Sequence, residues 1–475
     1  MVQPTNNAQE AGGVAQQAAP HRWLRRCVVV LLVGACLVAL NAALTYALLP
    51  YGGQTEAIWH QYYAKKDEPI DTLVVGGSYA MQDFVPSVID ERLGSHTYNL
   101  ATPSQSRVST LTAIRDAYED HGISRVFIGT SADNMWGMLK EIKYDTTFFL
   151  AEAQGRSLMR SIPTYASMVT QPRFFGDANS FAAIMPWLAN HVSYNRSAIQ
   201  ENLQLKATLT PEEALSANGL QMDAQGFIPQ YGVYSGNDSA DRATVAGDEE
   251  YQMSDLTKQE YRAICRYCKQ HGIKLYFVVA PRPDFATVRF EKEGGYAVSL
   301  AQYEQLAREE GAEFIDFSLT KPEFYRAAEW EFHDVSHLNY DAAVRFSGVL
   351  ADTIARMEAG EDLSGNFYPH TVEGWQEYLS TIDSLSLVTF YPTVNETAID
   401  LEIKAFAGPS VAVEYQVSRV LADDSLEVLR PYSTETTFSY PIEGHGGVTL
   451  RVDARKVGAG AAEQPERYCV RWISY

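Results

Sequence analysis

Residues 70–80 read IDTLVVGGSYA, and this stretch decides how the rest of the chain is organised. From Ile70 to Gly76 the run is short, apolar and rich in β-branched residues, which predicts a buried strand. Gly76 and Gly77 then permit a sharp turn, and Ser78 stands immediately beyond it. A hydroxyl at the C-terminal end of a first parallel strand lies where open α/β sheets hold their ligands, in the crevice above the strand ends. Taken by itself, Gly-Gly-Ser after a strand is more often an ordinary tight turn.

Outward from this strand, apolar runs alternate with helical patterns as far as about Met357. A second strand ends at Tyr98 to Ala101. Arg107 to His121 is an amphipathic helix, with Val108, Leu111, Ile114 and Tyr118 on one face and Gly122 as its stop. Arg125 to Gly129 is a third strand, Ser254 to His271 a helix stopped by Gly272, and Ile273 to Ala280 a fourth strand. Ser299 to Glu310 is helical, Glu313 to Phe317 is a fifth strand, and Asn339 caps a last helix. This alternation predicts an α/β domain over residues 70–360, a five-stranded parallel sheet sandwiched by helices. Residues 134–252 form an insertion too long for a loop, aromatic and helical first, then rich in Gly, Asp and Ser. It is expected either as a cap over the active edge of the sheet or as a helical decoration that completes the core. Residues 365–475 change texture to short alternating runs between turn residues, the pattern of a β-sandwich.

The chain's first 26 residues are expected to be a disordered cytoplasmic tail, closing on the basic cluster HRWLRR. Cys27 to Leu49 then runs 23 residues without a charge. As a helix it would be about 35 Å long, enough to cross a bilayer. The arginines before it place that end in the cytoplasm and everything from about Pro50 outside. An uncleaved anchor is expected, because the run exceeds the apolar region of a signal peptide. Val33-Gly34-Ala35-Cys36 has the form of a lipoprotein cleavage box, yet apolar sequence continues for another dozen residues. Residues 50–69 read as a connector.

With 59 acidic against 38 basic residues, the net charge is -21. That excludes nucleic acid as a partner, since phosphate recognition needs a basic footprint. Cys265 and Cys268 are spaced C-x-x-C inside a predicted helix. They do not open a helix after a strand, as redox motifs do, so they are expected as small apolar residues on its buried face. His191, His271 and His370 are scattered without metal-ligand spacing, and neither a metal nor another cofactor is expected.

A second motif complements Ser78. After the fifth strand comes His333-Asp334-Val335-Ser336-His337-Leu338-Asn339, directly before a helix. An aspartate and a histidine three apart can bond side chain to side chain. The carboxylate then fixes the imidazole tautomer, and the other ring nitrogen is free to take a serine proton. Alone, the pair is equally a helix-capping aspartate beside a chance histidine. Together with Ser78, and with both motifs at strand C-terminal ends of one sheet, it predicts a catalytic triad of Ser78, His337 and Asp334.

These residues resemble the SGNH/GDSL hydrolases over about residues 70–357. The resemblance rests on Gly76-Gly77-Ser78 after strand one and Asp334-x-x-His337 before the last helix. It implies an SGNH/flavodoxin-like fold and the Ser-His-Asp roles just given. Three departures stand out. Gly77 replaces the usual acidic residue before the serine. Ala101 stands where an oxyanion-hole glycine is expected, and Asn134 is only a loose match for the block-three asparagine. Within the superfamily the chain is similar to the anchored extracytoplasmic branch, which includes the D-alanine-transfer protein of teichoic-acid operons and alginate-type O-acetyltransferases. The shared features are the anchor, the Gly-Ser turn, the stretch Asn99-Leu-x-Thr-x-Ser-Gln-Ser106 and the long insertion. That implies acyl transfer to hydroxyls of a cell-surface glycopolymer, with a multipass membrane O-acyltransferase as acyl donor. Two other expectations stay open, an esterase and a non-catalytic envelope assembly factor that keeps the fold.

Overall fold

The computed structural model describes residues 20–130, 142–156, 159, 161–164, 166, 184–234, 253–284, 295–334, 336–459 and 465–475. Its centre is a sheet of five parallel strands, β1 (Thr72–Gly76), β2 (Thr97–Asn99), β3 (Arg125–Thr130), β4 (Lys274–Val279) and β5 (Glu313–Asp316), in the order β2-β1-β3-β4-β5. Leu73, Val74 and Val75 on β1 and Val126 and Phe127 on β3 are fully buried, as both faces are covered.

The first helices are α1 (Pro20–Leu48), α2 (Gln54–Ala64), α3 (Ser78–Asp83), α4 (Pro86–Leu93) and α5 (Arg107–His121). Inside the insertion lie α6 (Ile142–Gln154), α7 (Arg196–Thr208) and α8 (Pro211–Ala217). After it come α9 (Asp255–Gln270), α10 (Gly295–Glu310), α11 (Tyr340–Glu358) and α12 (Val372–Ser380). Helices α5, α9 and α10 pack together on one face of the sheet, and α3, α4 and α11 group on the other. Local chemistry sets their ends. Ser106, Ser254 and Asn339 each accept a hydrogen bond from a first-turn N–H, and Gly122 ends α5 at φ +69°.

Trp23–Leu48 is 26 residues at mean hydropathy 2.7, long and apolar enough to cross a membrane. Its C-terminal end is stitched to the insertion. The Val192 N–H donates to the Leu48 carbonyl (2.8 Å), Asn202 Nδ2 to those of Ala47 (3.0 Å) and Leu49 (2.8 Å), and Lys206 Nζ to Leu49 (2.8 Å). A cation on the last carbonyls of a helix also complements its dipole.

The expected connector at residues 50–69 is instead largely helix α2, with Ala57, Ile58, Trp59 and Tyr62 buried in the main core. Its apolar positions repeat three and four apart, but the polar residues among them mask the stripe. A second unforeseen helix, α12, buries Trp375 and Tyr378. A Cβ at its Gly374 would lie 2.2 Å from the Pro369 carbonyl oxygen, so the close approach of that loop requires glycine there.

Residues 385–474 form two antiparallel sheets around their own core. One joins β6 (Leu385–Val394), β7 (Ala398–Ala407) and β10 (Thr437–Pro441). The other joins β8 (Val413–Val420), β9 (Leu426–Ser433), β11 (Gly447–Lys456) and β12 (Arg467–Ser474). The edge strand β9 was not expected. None of its residues is buried, so it carries no alternating pattern to read.

Cys265 and Cys268 are free and buried on α9, and burial pushes both thiols up to about 12. Such thiols are poor nucleophiles. His370 is held between two carboxylates, Nδ1 2.7 Å from Glu304 and Nε2 3.1 Å from Asp316. Burial alone would lower its pKa, but these two partners outweigh it and raise it to about 9, against 6.5 for a free histidine. The folded protein therefore keeps a proton that the unfolded chain sheds between those pH values. This contribution, about 3 kcal/mol, is complete below pH 6.5 and disappears as pH rises through 9. Urea unfolding of wild type and His370→Gln across pH 6–10 checks it. The two should differ most at pH 6 and converge at pH 10.

Candidate active site

Strand β1 delivers the chain to the turn at Gly76, whose φ is +129°. The Gly76 N–H donates to Gln105 Oε1 at 2.8 Å, and Gln105 Nε2 donates to the Leu100 carbonyl at 2.9 Å. Asn99 Nδ2 donates to the carbonyls of Ala80 (2.8 Å) and Phe84 (3.1 Å), tying the end of β2 to helix α3. Ser78, half-buried, is the first residue of that helix.

The opposing loop is closed on itself. The His333 N–H donates to the His337 carbonyl and the Asn339 N–H to that of Glu331, both at 2.8 Å. Inside this turn Asp334 Oδ1 accepts the N–H groups of Ser336 (2.7 Å) and His337 (2.9 Å). His337 Nδ1 lies 3.0 Å from Asp334 Oδ2, and His337 Nε2 lies 2.8 Å from Ser78 Oγ. The structure thus brings Ser78, His337 and Asp334 into one hydrogen-bonded chain. A carboxylate only accepts, so Nδ1 carries the proton and Nε2 accepts from the serine hydroxyl. Burial would raise the Asp334 carboxyl, but its bonds from the His337 ring and from the N–H groups of His337 and Ser336 hold it at about 2. The Tyr79 ring packs on the imidazole at 5.0 Å between centroids, tilted by 34°.

Two expected oxyanion residues have other fates. The Ala101 N–H is turned inward and donates to Asn99 Oδ1 at 3.1 Å, and the residue is fully buried. Asn134 lies outside the described residues. As the first residues of α3, Ser78 and Tyr79 have N–H groups with no carbonyl four residues back inside the helix, and no side chain caps that end. N–H groups free of helix partners beside the Ser78 hydroxyl can meet charge developing on a substrate oxygen.

Asp83 escaped notice in the sequence. It ends α3, is fully buried, and its Oδ1 accepts the Leu338 N–H at 3.0 Å. This bond joins the nucleophile helix to the histidine loop, alongside the Ser78–His337 bond itself. Burial pushes its carboxyl well above the usual range, and the Leu338 N–H opposes this only in part. Asp83→Ala should lower kcat about tenfold with little change in KM, because the histidine loop loses its register to Ser78. Asp83→Asn, which keeps the acceptor oxygen, should restore most of the rate, and steady-state kinetics on an activated ester separates the two.

No protein-family model and no curated protein sequence matches the chain. Nine chains of solved structures do match it. Among them is a crystal structure of a candidate acylhydrolase from Bacteroides fragilis, 10% identical, covering 62% of this chain and 97% of that one at a TM-score of 0.25. A likeness at that level carries no residue role or activity across, so the site stands on its own geometry.

Proposed function

We propose that this chain is a membrane-anchored, extracytoplasmic acyl-transfer enzyme of the SGNH kind, moving acyl groups onto hydroxyls of a cell-surface glycopolymer. The observation that carries the reading is the continuous chain from Ser78 Oγ through His337 to an ionised Asp334. Ser78 Oγ attacks the acyl carbonyl as His337 Nε2 takes its proton, and Asp334 stabilises the imidazolium that results. The tetrahedral oxyanion is met by the N–H groups at the start of α3. Collapse returns the proton to the departing alkoxide and leaves an acyl-serine. An acceptor hydroxyl, deprotonated by the same nitrogen, then attacks the acyl-serine and regenerates Ser78.

Three features support the polymer and the membrane. The stitches at the end of α1 would be lost if that helix were cleaved away, which favours an anchor over a signal peptide. Anchoring keeps the site beside a membrane-bound acyl donor, such as a multipass O-acyltransferase. Trp330 and Tyr231 are 64% and 60% exposed beside the histidine loop, with Tyr231 5.7 Å from the ring of Tyr340. Their flat apolar faces suit the C–H faces of sugar rings.

The test is an acyl-transfer assay. Detergent-solubilised full chain is given an activated acetyl ester, with and without an oligosaccharide acceptor. Acetylated oligosaccharide should form faster than free acetate. Rapid acetate release that ignores the acceptor would instead make the protein an esterase. If cells carrying Ser78→Ala kept full envelope modification, the non-catalytic assembly role would replace both.

A further inference from the structure

The outer end of α1 borders a crevice that the catalytic reading does not use. Asn41 Nδ2 donates to the Ile184 carbonyl at 2.8 Å, and Trp187 Nε1 donates to Asn41 Oδ1 at 2.9 Å. Asn41 lies seven residues before Leu48, about 10 Å back along the helix axis. Residues 184–190 therefore run alongside the last turns of the apolar helix instead of standing clear of it. Ile184 and Leu188 leave 57% and 45% of their surface uncovered there.

Between this part of α1 and helix α6 is a cavity of about 840 Å³. Val38, Ala42 and Leu49 line one wall, and Leu150, Ala151 and Ile184 line the other side. About 20 helical residues cross the hydrocarbon of a bilayer. Counted from Cys27, the apolar layer reaches about Ala47, so Val38 and Ala42 lie in its outer half. Asn41, Thr45, Thr147 and Gln154 also line the cavity, but the Asn41 amide is taken up by Ile184 and Trp187, and an acyl chain fits the apolar walls between these groups. The mouth is different in kind. Lys206 Nζ sits there, 5.1 Å from the Tyr46 ring centroid and 5.9 Å from that of Tyr51. An ammonium has three protons, and two are used on the carbonyls of Tyr46 and Leu49. Tyrosine and lysine at this level match the headgroup layer of a membrane.

We propose that this crevice binds one outer-leaflet glycerophospholipid, with an acyl chain between α1 and α6 and the phosphate on Lys206. The proposal rests on α1 being a membrane span. It has a consequence for the site, because α6 also carries Asp145, whose Oδ1 accepts from Ser106 Oγ (2.6 Å) and Ser109 Oγ (2.8 Å). Those serines open α5 directly after Gln105, the residue that holds the Gly76 turn. A seated acyl chain thus braces the helix that backs the nucleophile loop.

The test uses the full chain in nanodiscs made with a phospholipid bearing a diazirine in mid-chain. After irradiation, adducts should map to Leu150 and Ala151 on α6 as well as to α1. Ala42→Trp fills the crevice from the exposed side of α1, so it leaves the folded core alone. It should cut the α6 adduct roughly tenfold without changing nanodisc incorporation. Adducts confined to α1, or an α6 adduct indifferent to Ala42→Trp, would overturn the lipid site while leaving the span intact. A chain that fails to enter nanodiscs would overturn the span and, with it, the lipid site.

Discussion

Ser78→Ala is expected to abolish labelling by a fluorophosphonate probe and to lower kcat/KM by about 10⁴-fold or more, with the fold intact. The geometry dictates the size of the effect. Ser78 Oγ is the one nucleophilic atom within hydrogen-bond reach of His337 Nε2, at 2.8 Å among the described residues. Alanine removes the nucleophile and touches nothing in the core, since Ser78 is only half-buried. Stability should change by less than about 0.5 kcal/mol. His337→Ala should cost as much, and the double variant no more, because the two act as one unit. Asp334→Asn should divide the roles further. Its amide keeps an oxygen for the Ser336 and His337 N–H groups, so the loop persists. It no longer enforces the tautomer that leaves Nε2 free, and a loss of about 10³–10⁴ in kcat is expected. With its pKa at about 2, Asp334 stays ionised through mild acid, so an acid limb of the rate above pH 4 belongs to another group. Intact-mass analysis of the adduct checks labelling of all four variants, and steady-state kinetics checks their rates. A full adduct on Ser78→Ala would remove Ser78 from the mechanism.

The hydrogen-bonded chain of Ser78, His337 and Asp334 was readable because each half is local in the chain. A glycine pair after an apolar strand marks one half, and an aspartate three residues before a histidine at a helix entrance marks the other. Their meeting needed only the rule that parallel strands end at one edge. The supports were harder to see. Gln105 and Asn99 belong to a stretch whose resemblance was plain. Even so, their side chains act on backbone groups of Gly76, Ala80 and Phe84, and no spacing announces such bonds. Asp83 looks in the sequence like any polar residue near a helix end, and its role appears only when Leu338 is brought to it from 255 residues away. Ala101 fails as an oxyanion donor for a similar reason. Its N–H is claimed by Asn99, a contact set by loop conformation and not by residue type. In the fold, α2 and β9 were missed at opposite extremes. One hides a buried stripe under polar neighbours, and the other buries nothing.

Gly76→Ala should be the most damaging single-atom change outside the triad, because it strikes the turn that sets the serine in place. Two independent costs fall on one methyl group. Gly76 holds φ at +129°, a region L-residues avoid, and such strain costs on the order of 1–3 kcal/mol. The added Cβ would also sit 2.1 Å from the carbonyl oxygen of Gly129, its partner across the β1–β3 ladder. That neighbour is backbone in a central strand, so it cannot yield without breaking parallel pairs on both sides. The sum should exceed about 4 kcal/mol, a large part of the 5–15 kcal/mol that holds a typical domain together. Gly122→Ala is the control, with φ +69° and open space around the new methyl group. It should cost only about 1 kcal/mol, the strain alone. Urea unfolding of the two variants measures the difference. If Gly76→Ala lost no more than Gly122→Ala, the close β1–β3 approach would not be what confines this position to glycine. If it is destabilised as expected yet partly folded, the fluorophosphonate adduct should fall with the folded fraction, since the same turn sets both the sheet and the Ser78 hydroxyl.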